Sequence, residues 1–253
     1  MNSLLLASFA VILWSTLALL GSQVASLPPF LMLGVVFTLT GLTSLFQPRA
    51  WRVPFRTLLV GVGGIFGYHF LYFRAFALAP AVEANLINYL WPLLIVVLSP
   101  LFIKGIHLRL QHILGGLLGL AGAALIVTQG QITFDTRYLP GYLLAGGAAV
   151  TWAVYSLLTK RLPPFPTGSI SVFCLISGLL SFTVHLALGG SLDFLVSPGW
   201  HKVLLLVLIA AGPMGAAFFF WDAALKRGDP RAIGSLSYLT PLLSTLNLML
   251  FSG

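Results

Sequence analysis

Tyr89-Leu90-Trp91-Pro92-Leu93-Leu94 returns, slightly altered, as Tyr238-Leu239-Thr240-Pro241-Leu242-Leu243. Each copy lies in an apolar run of helical length, and the match extends outward in constant register. Phe70 falls on Phe219, Ala75 on Ala224, Leu101 on Leu250 and Phe102 on Phe251. Self-similarity between two halves of an apolar chain is a signature of secondary transporters. The flanks differ in charge. The connection before the first copy, 79–84, carries only Glu83, whereas its counterpart carries Lys226, Arg227 and Arg231. Positive charge marks the cytoplasmic side, so the two copies should cross a membrane in opposite directions, as an inverted repeat.

Composition agrees. Hydrophobic residues make up 58% of the chain and charged residues 7%, with a mean hydropathy of +1.02. A soluble domain carries about 25% charged residues. The net charge of +8 does not indicate nucleic acid, because the thirteen Lys and Arg are scattered singly or in pairs between apolar runs. Cys174 stands alone in an apolar run, which implies a buried thiol and no disulfide or metal cluster. The first run, Ser3 to Leu20, lacks a basic leader and a small-residue cleavage site, and it reads as a retained helix.

A bilayer core of about 30 Å takes roughly 20 apolar residues per helix. Nine spans are expected, at about 3–21, 29–46, 57–79, 82–103, 110–129, 139–159, 168–189, 201–226 and 232–251. Turn residues punctuate them, among them Pro28-Pro29, Gln47-Pro48, Pro80, Pro140, Pro163-Pro164, Pro198-Gly199 and Gly228-Asp229-Pro230. Alternate loops are basic: Arg49, Arg52 and Arg56; Lys104 and Arg109; Lys160 and Arg161; then Lys226, Arg227 and Arg231. Ten of thirteen basic residues thus gather on one side, which puts the N-terminus in the cytoplasm. The fold class expected is an all-α polytopic membrane protein, an inverted repeat of two five-helix units. Residues 1–130 would form the first repeat and 131–253 the second, with spans six to nine matching spans one to four. Trp14 and Trp152 extend that match in a different register. A tenth span is expected to follow Phe251.

Within the spans, Gly63 and Gly67, Gly115 and Gly119, and Gly146, Gly147 and Ala149 suit close helix packing. Pro92 and Pro241 occupy equivalent places in the two repeats. Each removes a backbone donor at membrane depth, and the resulting bend serves either as a static kink or as a hinge beside a central site. Polar and aromatic residues gather around these bends. Asn85, Asn88 and Trp91 share one helical face with Tyr89 at its edge, and Tyr68, His69 and Tyr72 occupy about one turn. Trp152, Tyr155 and Ser156 lie in span six, and Tyr238, Thr240, Ser244 and Asn247 lie in span nine. Trp14, Tyr68, Trp91 and Trp152 are too deep for an interfacial belt, and polar groups such as Asn88 need partners that lipid does not offer. His69 is the titratable group nearest the centre, suited either to proton exchange or to a hydrogen-bonded wall. Arg74 could snorkel or pair with Glu83, and Asp222 lies one turn from Lys226. No metalloprotease, nucleophile-elbow or phosphate-loop motif is present, so the chain does not read as an enzyme.

These residues carry a family resemblance. Leu13-Trp14-Ser15, Ala79-Pro80-Ala81 leading into Tyr89-Leu90-Trp91-Pro92, the glycines from Gly115 to Gly122 and Thr151-Trp152-Ala153 follow the order of the drug/metabolite transporter superfamily. The chain resembles its EamA-type permeases, and among them looks most like the YddG-type amino-acid exporters. The resemblance implies a ten-helix bundle with a cavity formed by spans one, three, four, six, eight and nine. Its substrate-binding wall would hold Trp14, Tyr68, His69, Tyr72, Asn88, Tyr89, Trp91, Trp152, Tyr155 and Tyr238, with Pro92 and Pro241 as hinges. Span one lacks the Glu of small multidrug-resistance relatives, which argues against obligatory export of cationic drugs.

The expected function is export of neutral or aromatic amino acids and similar metabolites across a bacterial inner membrane by alternating access. The alternatives are a channel-like or structural membrane protein and a carrier of another metabolite such as a nucleotide sugar. A small-molecule substrate and the lipid bilayer are the expected partners; no cofactor, metal or nucleic acid is expected, and the sequence leaves the oligomeric state open, a monomer being compatible with it. The orientation is open to a direct check. Single Gln47→Cys and Ser191→Cys variants in a Cys174→Ala background should react with an impermeant thiol reagent from opposite faces of the membrane. Reaction from the same face would contradict the charge-based topology.

Overall fold

The structure is a computed structural model that describes residues 1–196 and 199–251. Among the described residues it has nine helical spans: Ser3–Gln23, Pro29–Phe46, Phe55–Phe76, Ala81–Phe102, Leu110–Thr128, Thr136–Leu158, Ser169–Ala187, Trp200–Arg227 and Pro230–Phe251. Each starts and stops within about one turn (roughly 3.6 residues) of the place the sequence indicates. Pro198, Ser252 and Gly253 lie outside the described residues. The spans are long and apolar enough to cross a bilayer, and no strand occurs among the described residues.

Several spans are not continuous α-helices. Span four is split into Ala81–Asn88 and Leu90–Phe102, and span nine into Pro230–Leu236 and Leu239–Phe251. Pro92 and Pro241 therefore lie in the first turn of a second segment. Their missing N–H groups would have served the carbonyls of Asn88 and Ser237, and the interruptions fall at those carbonyls. Spans three and eight each contain a π-helical turn, at Gly63–Gly67 and Gly212–Ala216. The offset that carries Tyr89 onto Tyr238 carries one π turn onto the other. Span one is interrupted at Thr16, where the hydroxyls of Ser15 and Thr16 donate to the carbonyls of Ile12 and Leu13, each at 2.7 Å. Such bonds back to the preceding turn loosen a helix.

Spans two and seven pack closely, because glycines let their backbones meet. A Cβ added to Gly41 would lie 2.5 Å from the Leu175 backbone, and one on Gly178 would lie 2.7 Å from the Thr38 nitrogen. Gly64 receives the ring of Tyr155 and Gly119 the ring of Tyr238. The packing expectation fails for Gly63 and Gly115, which have nothing within 4 Å of an added Cβ. Small size there creates no contact.

Two ion-pair expectations part company. Asp222 and Lys226 pair at 2.6 Å. Arg74 and Glu83 form no ion pair; Glu83 is buried, with Oε2 lacking a protein partner. At the start of span nine, Asp229 accepts from the Arg231 backbone N–H at 2.9 Å and pairs with its guanidinium. The Arg231 hydrogen bond holds the Asp229 carboxyl below the usual carboxylate range.

The span two–seven contact yields a paired expectation. Gly41→Ala should destabilise the detergent-solubilised protein by about 1–3 kcal/mol through overpacking. Gly122→Ala, with open space around it, should be neutral or stabilise by up to about 1 kcal/mol. Thermal unfolding of the two variants beside the parent checks both signs.

Candidate functional site

The interruptions converge on a cavity of about 480 Å³ between spans one, two, three, four, six, eight and nine. Its deep wall is aromatic. Trp14 meets Trp91, Trp152 and Trp221 with ring centroids at 6.1, 5.9 and 5.1 Å, and Trp91 meets Trp221 at 5.6 Å. Tyr68 and Tyr72 stack one turn apart, 5.6 Å between centroids and 11° between planes. The cavity extends from this cluster to Val24, Ala25 and Phe76, near the connections opposite the basic loops.

Its polar groups come as pairs bridging spans three and four. Tyr72 donates to Asn85 Oδ1 at 3.0 Å, and Asn88 Nδ2 donates to the Tyr68 hydroxyl at 3.1 Å. Each pair holds an aromatic ring upright on the wall. Asn88 Oδ1 and Thr240 Oγ1 are buried without a protein partner, and both residues line the cavity. A buried polar group in a native structure normally has a partner, so these two are positioned to meet a ligand or water. His69 Nδ1 lies 2.7 Å from the carbonyl of Ile65 within the π turn. A carbonyl only accepts, so Nδ1 carries the proton and Nε2 is the acceptor of the neutral ring. None of the cavity-lining side chains is Asp, Glu, Lys or Arg.

The side facing the basic loops is closed. Trp221, 1% exposed, donates from Nε1 to Ser156 Oγ at 3.0 Å. Below it Asp222 Oδ2 accepts from Thr167 at 2.7 Å and from Lys226 at 2.6 Å. Lys226 also donates to the Phe165 carbonyl at 3.0 Å, and Lys160 donates to the carbonyl of Gly228. The connection between spans six and seven is thereby tied to the end of span eight. Burial pushes the Lys160 ammonium below its usual range.

Of the residues expected on the wall, Trp14, Tyr68, His69, Tyr72, Asn88, Tyr89, Trp91 and Trp152 line the cavity. Tyr155 and Tyr238 do not, and they correct the expectation. Tyr155 packs behind Trp152 on the face of Gly64, removed from the opening. Tyr238 turns toward span four, where its hydroxyl accepts from Leu93 N–H at 3.1 Å and donates to the Tyr89 carbonyl at 3.2 Å. The sequence reading missed Trp221 and the wall residues Phe218 and Met214. The repeat offset places Tyr72 on Trp221, a signal that could have found it; Phe218 lies in an undifferentiated Phe-Phe-Phe-Trp run.

Comparison with known proteins places this architecture. The EamA-like transporter family matches residues 1–128 and again 139–253. The chain belongs to that family. The transporter is 42% identical to the aromatic amino acid exporter YddG of Ancylobacter novellus, over 98% of this chain and 88% of that protein. The protein of the same name from Escherichia coli K12 is 27% identical over 95% of this chain and 85% of its own. A solved crystal structure matches with a TM-score of 0.91 at 42% identity, covering 99% of this chain and 88% of the other. The chain is thus a multi-pass membrane transporter, of a family that is not an enzyme class.

The orphaned Thr240 hydroxyl has a measurable consequence. Thr240→Val removes an unpaired polar group while keeping the shape, so the ligand-free protein should gain about 1 kcal/mol. Thermal unfolding of the variant beside the parent reads the effect.

Proposed function

We propose that this transporter exports aromatic and other neutral amino acids from the cytoplasm across a bacterial inner membrane, by alternating access through the central cavity. The observation that carries this reading is the cavity wall itself. It combines three tryptophans and two stacked tyrosines with neutral amides and hydroxyls, and it contains no charged side chain. An aromatic or aliphatic side chain gains stacking and apolar burial against such a wall. A zwitterion requires a balanced set of donors and acceptors instead of a countercharge. Asn88 Oδ1 and Thr240 Oγ1 are acceptors for its ammonium, and the Tyr68 hydroxyl retains a proton to donate to its carboxylate. The names of the two exporters above support the same substrate class.

The two-repeat division at 1–130 and 131–253 is part of this reading. It is supported by the double family match, the paired π turns and the paired interruptions of spans four and nine. With the N-terminus in the cytoplasm, the cavity opens outward and the Trp221–Asp222–Lys226 layer closes the inner side. Pro92 and Pro241 then serve as the points at which spans four and nine bend between states, since a helix already lacking a bond there deforms at lower cost.

Purified protein in liposomes should exchange phenylalanine or tryptophan in counterflow; failure across all neutral amino acids would refute the reading. Trp91→Ala should weaken handling of aromatic substrates several-fold, consistent with about 0.5–1.5 kcal/mol of stacking, and affect alanine and threonine less. Equal losses for both classes would instead mark a folding or gating defect.

A further inference from the structure

Tyr238 occupies an unusual place. Its hydroxyl is spliced into the backbone of span four, taking the Leu93 N–H and giving its own proton to the Tyr89 carbonyl. Those two groups are four residues apart, the pair that an unbroken α-helix would have joined directly. The phenol therefore bridges the interruption. Its ring lies against Gly119 of span five, where an added Cβ would stand 2.3 Å from Tyr238 Cδ2. Tyr238 is 7% exposed and lies outside the cavity wall.

Its repeat counterpart is Tyr89, whose ring lines the cavity and whose hydroxyl makes no hydrogen bond to any described residue. The two tyrosines are equivalent in sequence and unlike in state: one is bonded and buried, the other free and facing the opening. An inverted repeat relates its two halves by a pseudo-two-fold axis in the membrane plane, so exchanging their conformations would open the opposite side. The repeat places the Tyr238 carbonyl and the Leu242 N–H where the Tyr89 carbonyl and Leu93 N–H stand in the first half. The two sites adjoin, since Tyr238 already touches the Tyr89 carbonyl.

We propose that Tyr238 is a positioning residue for transport and that it trades roles with Tyr89. In the present state the Tyr238 phenol holds the gap in span four. In the opposite state the Tyr89 phenol holds the gap in span nine, bridging the Tyr238 carbonyl and the Leu242 N–H while Tyr238 is released. A backbone gap at membrane depth gains from a protein partner. The exchange gives the span four gap one in the present state and the span nine gap, which is also interrupted here, one in the opposite state, and so couples the two bends. This inference rests on the alternating-access reading.

The test uses an Ala18→Cys variant in a Cys174→Ala background, because Ala18 lines the cavity, and reads its labelling rate with a hydrophilic maleimide. Loss of the hydroxyl from Tyr238 should favour the opposite state, so Tyr238→Phe should lower the rate about fivefold, the effect of one net hydrogen bond. Tyr89→Phe should leave the rate unchanged or raise it, since it weakens only the other state. The Tyr89→Phe/Tyr238→Phe double variant, deprived of both bridges, should return toward the parent. Gly119→Ala, which crowds the Tyr238 ring, should act in the direction of Tyr238→Phe. Equal shifts in the same direction for the two single variants, or no shift in either, would overturn the exchange. Absence of labelling in the parent would overturn the open cavity and the alternating-access reading together with it.

Discussion

A backbone hydrogen bond broken inside a bilayer has no water to replace it, and this constraint organises the interrupted helices. Several interruptions have a nearby side chain that meets an exposed backbone group. Tyr238 bridges the gap in span four. The Thr40 hydroxyl donates at 2.9 Å to the carbonyl of Ala210, beside the π turn of span eight. His69 bonds the Ile65 carbonyl within the π turn of span three. These partners let the helices depart from regular geometry where they surround the cavity, and each partner is polar because the backbone there requires it.

The same economy governs charge. Asp222 is almost completely buried, and it is accommodated by Lys226 and Thr167 on one carboxylate oxygen. A buried ion pair is weak evidence of net stabilisation, although removing one partner strands the other at a cost of several kcal/mol, about 3–5. Its position beneath Trp221 makes it a fastening between the span six–seven connection and span eight. That fastening and the cavity lie toward opposite ends of the molecule.

The aromatic cluster serves two purposes at once. Trp14, Trp91 and Trp152 line the cavity on one edge and pack against Trp221, Phe218 or Tyr155 on the others. A rigid ring held on several sides keeps a stacking surface in place without further loss of side-chain freedom on ligand binding. The asparagine–tyrosine pairs extend that rigidity to the polar part of the wall. In the proposed exporter, binding chemistry is thereby built from residues whose orientation the fold has already fixed.

The sequence by itself determined the nine apolar spans, their alternating loop charge and the correspondence of the two halves. Those properties follow from hydrophobic length, charge and local pattern, which a linear reading captures. It also identified eight of the wall residues, because a polar or large aromatic group deep in an apolar run is costly unless it faces protein or water. Tertiary structure alone decided which side of each helix those groups occupy. Tyr89 and Tyr238 have nearly the same local sequence, yet one borders the cavity and the other repairs a neighbouring helix. The π turns were equally hidden, since Gly63–Gly67 and Gly212–Ala216 share little beyond glycine. An inverted repeat that opens to one side must place equivalent residues in unequal surroundings, and that asymmetry is a property of packing.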